Sequence, residues 1–157
     1  DDLRGDVGSN RLSGMLGNDR LDGGGGSDQL VGGKGNDVLV GSAGKDRLSG
    51  NQGRDFFTFE NPHHGVDTIT DFRRKQGDRI AVKSDQFGGL SVGSLRSEMF
   101  SVNATGRAAD ANDHFVFNTS NNTLYYDADG NGAGGRVKLA VMGNGVIMRA
   151  SDILVVS

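Results

Sequence analysis

The chain has 157 residues, no cysteine, 27 glycines and a formal net charge of −3. A disulfide framework is excluded, and no stretch approaches the roughly 18 apolar residues of a membrane span. The charge is nearly balanced and the aromatic residues lie mostly outside the glycine-rich half, so a stacking platform for nucleic acid has no support.

In chain order, the first elements are six consecutive nine-residue rows beginning at Gly5, Gly14, Gly23, Gly32, Gly41 and Gly50. Each has Gly first and fourth, Asp (Asn10 in the first row) sixth and an apolar residue eighth, the last being Leu12, Leu21, Leu30, Leu39, Leu48 or Phe57. A row with one apolar side chain cannot bury a core alone, so the rows must stack and share one. Stacking then aligns the sixth positions, Asn10, Asp19, Asp28, Asp37, Asp46 and Asp55.

Carboxylates one rung apart, about 4.8 Å, repel and suppress one another's ionisation. A cation between them removes the conflict. Glycine-rich turns free main-chain oxygens, each Asp offers two more, and no thiol is present, so the expected ion is a hard one that accepts many oxygens in flexible geometry. That ion is calcium, Ca2+, in several copies.

These rows resemble the RTX (repeat-in-toxin) nonapeptides of proteins exported by bacterial type I secretion. The resemblance implies a parallel β-roll in which two rows make one turn and residues 18 apart face each other. It further implies six-oxygen sites, each using carbonyls two and four with the Asp of one row, and carbonyls one and three with the Asp two rows on. Carried over, one site uses Met15, Gly17, Asp19, Gly32, Lys34 and Asp37. A second uses Gly24, Gly26, Asp28, Gly41, Ala43 and Asp46, and a third uses Gly33, Gly35, Asp37, Gly50, Gln52 and Asp55. A weaker site joins Asp6, Gly8 and Asn10 to Gly23, Gly25 and Asp28, because Asn10 brings an amide where the pattern wants a carboxylate.

Composition changes near Phe59, since 15 of the 27 glycines precede it, and this divides the chain into a roll over 1–58 and a second half over 59–157. Alternating apolar segments in the second half predict strands at Phe56–Glu60, Thr68–Phe72, Arg79–Val82, His114–Asn118, Thr123–Asp127, Arg136–Val141 and Gly145–Met148, with a short helix within Ser94–Phe100. The fold class expected is all-β, a parallel β-roll followed by an antiparallel, sandwich-like cap. GVDTITDF, GDRIAV and TLYYDADGNGAGGRVKLAVM in this half are similar to the C-terminal domain of serralysin-type proteins.

Asp67 and Asp71 are candidates to close an incomplete site near Asp46, with surface hydrogen bonding as the other reading; Asp78 after Gly77 reads as turn chemistry. Asp127, Asp129, Asn131 and Gly132 copy the opening of an EF-hand loop, but Lys138 stands where a bidentate Glu is required, so a polar turn is expected, with a weak calcium site as the alternative. His63, His64 and His114 form no zinc motif, and the first two read as a solvated turn. Gly89, Ser91 and Gly93 spell GxSxG without the strand and helix of a nucleophile elbow, and Gly130, Gly132 and Gly135 spell GxGxxG ahead of a strand. No catalytic constellation results.

The ending Asp152-Ile-Leu-Val-Val-Ser157 resembles the terminal signal of some type I substrates, and equally reads as a final strand tucked against a sheet. Asp1 and Leu3 look like the end of an earlier row, so the chain is expected to be a fragment of a larger secreted, extracellular protein. The functional expectation is a non-catalytic calcium-binding module, monomeric as a domain, that folds outside the cell and supports export through type I secretion machinery. The alternative is an accessory module that grips an anionic polysaccharide, through Arg11, Gln29 and Arg47 aligned on one face, for an attached enzyme.

Overall fold

A computed structural model describes residues 1–130, 135–143 and 145–157. In the repeat region the strands are β1 (Asp2–Arg4), β2 (Arg11–Leu16), β3 (Arg20–Asp22), β4 (Gly25–Gly26), β5 (Gln29–Lys34), β6 (Val38–Val40), β7 (Ala43–Gly44), β8 (Arg47–Gln52) and β9 (Phe56–Phe59). Beyond it lie β10 (Asp67–Ile69), β11 (Arg79–Lys83), β12 (Gly93–Ser94), β13 (Phe100–Asn103), β14 (Phe115–Asn118), β15 (Thr123–Tyr126), β16 (Val137–Met142) and β17 (Ile153–Val156). Two short 3-10 turns, Ser97–Met99 and Ala150–Asp152, supply the helix among the described residues.

Within the rows every strand pairs in parallel with the one 18 residues on: Arg11 with Gln29, Gln29 with Arg47, Arg20 with Val38 and Val38 with Phe56. The chain therefore winds as a solenoid, placing alternate rows in opposite walls. One wall runs β1-β3-β6-β9-β11-β17-β12, and the other runs β13-β14-β15-β16-β10-β8-β5-β2. Both walls continue from the repeats into the second half.

The register puts the eighth-position side chains between the walls. Leu21, Leu30, Leu39, Leu48 and Phe57 are fully buried and belong to one apolar cluster with Ile69, Phe72, Ile80, Phe115, Leu124 and Ile153. Each such side chain contributes about 1.5–3 kcal/mol on burial. Leu12 and Leu3, at the N-terminal rim, are only partly buried.

Antiparallel pairing is found at β14–β15–β16 and at β12–β17. Where the second half meets the rows the pairing is parallel: β10 lies between β8 and β16, and β11 between β9 and β17. β13 and β14 are also parallel. The expected strand at Gly145–Met148 does not form. β16 is already flanked by β15 and β10, so no edge is open to a returning hairpin. The segment instead crosses toward β17, with Met148 buried and Ile147 exposed. The helix sought within Ser94–Phe100 is the 3-10 turn at Ser97–Met99.

Candidate metal centre

The first to fourth positions of the rows carry the chain from one wall to the other. Second positions Met15, Gly24, Gly33, Ser42 and Asn51 have φ from 65° to 119°, and fourth positions Gly17, Gly26, Gly35, Gly44 and Gly53 have φ from 109° to 147°. Left-handed residues alternating with ordinary ones let the chain turn tightly between strands. The first row departs from this, since neither Asp6 nor Gly8 is left-handed. Its turn is closed by side chains: Asn10 Oδ1 accepts the Asp6 amide at 2.9 Å, and Asp6 Oδ1 accepts the Gly8 amide at 2.8 Å. The Gly8 amide and the Asn10 side chain hold the Asp6 carboxyl below its ordinary range.

Glycine at first positions has a different cause. Gly14, Gly23, Gly32, Gly41 and Gly50 lie outside the left-handed region. A Cβ at Gly14 would come within 2.5 Å of Asp19 Oδ2 and 2.7 Å of the Gly32 carbonyl oxygen. At Gly23 it would collide with Asp28 Oδ2 and approach the Gly41 carbonyl at 2.8 Å. The missing side chain leaves a cradle lined by a carboxylate oxygen of the same row and a carbonyl from two rows on.

The sixth-position aspartates form two ladders. In one, the Asp19 amide donates to Asp37 Oδ1 at 2.9 Å, Asp37 to Asp55 Oδ1 at 3.0 Å and Asp55 to Asp78 Oδ1 at 3.1 Å. In the other, Asn10 donates to Asp28 Oδ1 at 2.7 Å, Asp28 to Asp46 Oδ1 at 2.8 Å and Asp46 to Asp67 Oδ1 at 3.0 Å. Oδ1 thus joins successive coils. Oδ2 of Asp19, Asp28, Asp37, Asp46 and Asp55 is buried with no hydrogen-bond partner among the described residues.

Five buried carboxylate oxygens without partners carry a large desolvation cost unless something positive meets them. Burial, with neighbouring aspartates adding repulsion, pushes the carboxyls of Asp37 and Asp46 up, that of Asp55 to about 6 and that of Asp67 to about 8. The donor set is all oxygen and suits a hard divalent cation. Among the described residues no three His, Cys, Asp or Glu side chains gather into a metal cluster, so the carboxylates need main-chain oxygens to complete a site. Some of those oxygens already accept one amide. Lys34 takes Gly17 N at 2.9 Å, Gln52 takes Gly35 N at 2.8 Å, and Gly24 takes Ala43 N at 2.9 Å, each retaining a second lone pair.

Sequence reasoning missed Asp78. Its Oδ1 continues a ladder while its Oδ2 accepts the Arg73 amide at 2.7 Å, so turn chemistry describes half of its role. Asp67 ends the other ladder. Asp71 accepts the Gly50 and Asn51 amides at 3.0 and 2.8 Å and the Ser49 hydroxyl at 3.0 Å, capping the last row. His63 and His64 are exposed, and the His63 amide donates to Asn61 Oδ1 at 2.8 Å, as a turn requires.

In the loop that resembles an EF-hand, Asp127 Oδ1 accepts the Gly130 amide at 3.2 Å; Asn131 and Gly132 lie outside the described residues. Ser91 borders a cavity of about 240 Å3 lined by Leu90, Leu95, Met99 and Val155, and among the described residues no histidine or carboxylate lines it. Residues 153–156 form β17, paired with β11 and β12.

The family profile for the RTX calcium-binding nonapeptide repeat, four copies long, matches residues 1–30 and 22–57. A search of curated proteins gave no match. Among solved structures, the chain is similar to the solution structure of the AlgE6R3 subunit from the Azotobacter vinelandii mannuronan C5-epimerase, at 31% identity and a TM-score of 0.58, over 94% of this chain and 78% of that one. The stacked coils, the aspartate ladders and these likenesses together establish a calcium-binding β-roll, and the chain belongs to the RTX calcium-binding nonapeptide-repeat family.

Proposed function

We propose that this chain is a calcium-dependent folding module of a secreted, extracellular protein, and that it supports export of an attached protein through type I secretion machinery. The observation that carries the reading is the set of five buried Oδ2 atoms without partners. The roll over 1–58 holds several calcium ions in the sets Met15/Gly17/Asp19 with Gly32/Lys34/Asp37, Gly24/Gly26/Asp28 with Gly41/Ala43/Asp46, and Gly33/Gly35/Asp37 with Gly50/Gln52/Asp55. The set of Asp6, Gly8 and Asn10 with Gly23, Gly25 and Asp28 is weaker, because Asn10 Oδ1 is already committed to the Asp6 amide.

Where calcium is scarce, facing carboxylates and the conformational entropy of the glycines keep the chain open. Outside the cell, at roughly millimolar calcium, sites of the extracellular affinity class fill and binding energy becomes folding energy. The half over 59–157 packs on the roll and does no chemistry itself, and the domain works as a monomer. Circular dichroism of the chelated and calcium-loaded chain at pH 8, where the facing carboxyls ionise, tests this: the full β signal is expected only with calcium, and a fully folded apo chain at that pH would end the proposal.

A second reading has its own support. The register places Arg11 beside Gln29 and Gln29 beside Arg47 on one wall, and the similar protein is a subunit from an enzyme named for mannuronan. Two guanidinium groups flanking an amide suit an anionic polysaccharide presented to an attached enzyme. Replacing Arg11 and Arg47 by Glu should then abolish retention on a polyuronate matrix while calcium-dependent folding is kept; unchanged retention refutes this reading alone.

A further inference from the structure

Residues 62–70 read PHHGVDTIT, and the structure gives them the register of another coil. Gly65 bridges Gly44 in parallel, and Thr68 and Ile69 pair with Arg47 and Leu48. The Gly44 amide donates to the His64 carbonyl at 2.7 Å, the bond that Gly17 makes to Lys34. Gly65 has φ 143°, against 147° at Gly44, and a Cβ on it would collide with the Gly44 carbonyl as one on Gly44 would with Gly26. Gly65, Asp67 and Ile69 therefore occupy the fourth, sixth and eighth positions of a row.

The pairing is displaced by 21 residues instead of 18. Phe59, Glu60 and Asn61 are the inserted residues, and Pro62 stands where the other rows begin with glycine. Glycine is needed there when the row's own Asp folds its Oδ2 back onto it. Asp67 Oδ2 instead turns toward Gly41, 2.9 Å from where a Cβ would lie, beside Asp46 Oδ2 at 2.5 Å.

We propose that this coil completes a calcium site at the junction, formed by the main-chain oxygens of Ser42, Gly44, Pro62 and His64 with the carboxylates of Asp46 and Asp67. It rests on the calcium reading above and extends it across residue 58. Asp46 and Asp67 are 2% and 4% exposed, and Asp46 Oδ2 has no partner. A small cavity of about 10 Å3 is bordered by Ser42, His64, Gly65 and Asp67.

The sister ladder is closed by side chains. Arg73 Nη1 and Gln76 Nε2 donate to the Asn51 carbonyl at 3.0 and 3.4 Å, and Gln76 Oε1 accepts the Gly53 amide at 3.2 Å. A guanidinium and an amide stand where the next cation would sit, and both oxygens of Asp78 are taken by amides. The two walls thus finish differently, one on calcium and one on side chains.

Native mass spectrometry and calorimetry of the full chain count the ions. Asp67→Asn is expected to hold one fewer than the unmodified chain and Asp78→Asn the same number; an unchanged count in Asp67→Asn, or an ion lost from Asp78→Asn, overturns the assignment. Because either variant can fail to fold, the unmodified chain is also titrated with calcium while the carboxyl carbon of Asp67 and the carbonyl carbon of His64 are followed by NMR. Shifts at both support the site. Stationary signals while Asp28 and Asp37 move overturn it and leave the roll's calcium binding standing, whereas no calcium uptake at all removes both.

Discussion

The amide of Asp37 donates to Asp55 Oδ1 at 3.0 Å while Asp37 Oδ1 accepts the amide of Asp19 at 2.9 Å, so one side chain and its own peptide couple three successive coils of one wall. Asp37 also belongs to two of the proposed calcium sets, where Asp19 and Asp55 belong to one each. Its replacement should therefore cost more than theirs. Asp37→Ala is expected to lose two ions and Asp55→Ala one. Losing charge-assisted contacts of about 1.5–3 kcal/mol should raise the calcium midpoint of folding roughly tenfold or more. Calcium titrations followed by circular dichroism compare the two, and equal losses would count against a shared ligand.

Gly14→Ala isolates space from backbone conformation. Gly14 is not left-handed, so alanine adds no backbone strain, yet its Cβ would meet Asp19 Oδ2 at 2.5 Å and the Gly32 carbonyl at 2.7 Å. We expect a loss of about 1–3 kcal/mol, the range of overpacking, and loss of the ion held by Asp19 and Asp37. Ion counts and calcium-loaded thermal melts measure both.

Met15→Gly should act in the opposite direction. Met15 has φ 70° and is 71% exposed, so its side chain has little packing to lose while its backbone is in a region unfavourable to L residues. Relief of that strain, about 1–2 kcal/mol, outweighs the added entropy of unfolded glycine, about 0.5–1 kcal/mol. The loaded domain should gain about 0.5–1 kcal/mol, seen as a rise in Tm of about 1–4 °C. Its main-chain oxygen is retained, so the ion count should not change.

The carboxyls of Asp55, at about 6, and Asp67, at about 8, titrate above their ordinary value near 3.8, and those of Asp37, Asp46 and Asp78 are also raised. Burial is the first cause in each. Between these values the metal-free folded chain binds more protons than the unfolded one, so its stability falls as pH rises from about 4 toward 8. Calcium must displace the same protons, and its affinity should rise over that window. Apo circular dichroism at pH 4.5 and 8, with calcium midpoints at each, checks both signs; apo order that increases with pH would contradict the electrostatic account.

Much of the roll was legible because period and register are one quantity: a nine-residue formula wound twice per turn forces position i against i+18, and Leu12, Leu30 and Leu48 pair accordingly. Legibility ended at the insertion before Pro62. Three extra residues and a proline in a glycine position hide the fourth, sixth and eighth positions at Gly65, Asp67 and Ile69, although their spacing survives in the sequence. Asp78 was hidden for a related reason, since Arg73 to Gly77 share nothing with a row but lead to an Asp and an Ile two residues apart. Pairing direction at the seam was not legible from alternation, which is the same for parallel and antiparallel strands. Nor was Gly145–Met148, whose strand-like alternation follows β16, a strand already flanked on both sides by β15 and β10.

In every ladder bond the amide belongs to the earlier coil and the carboxylate to the later one, from Asn10 with Asp28 through Asp55 with Asp78. A coil is consequently finished only by its successor, and the last aspartates, Asp67 and Asp78, are anchored in strands or turns of the packed second half. The wound region should therefore grow like a crystal from a seed, with the seed at its downstream end and the growing tip at β1. Amide exchange in the loaded protein should slow steadily from Asn10 toward Asp55, and trimming the first row should shorten the assembly without dissolving it.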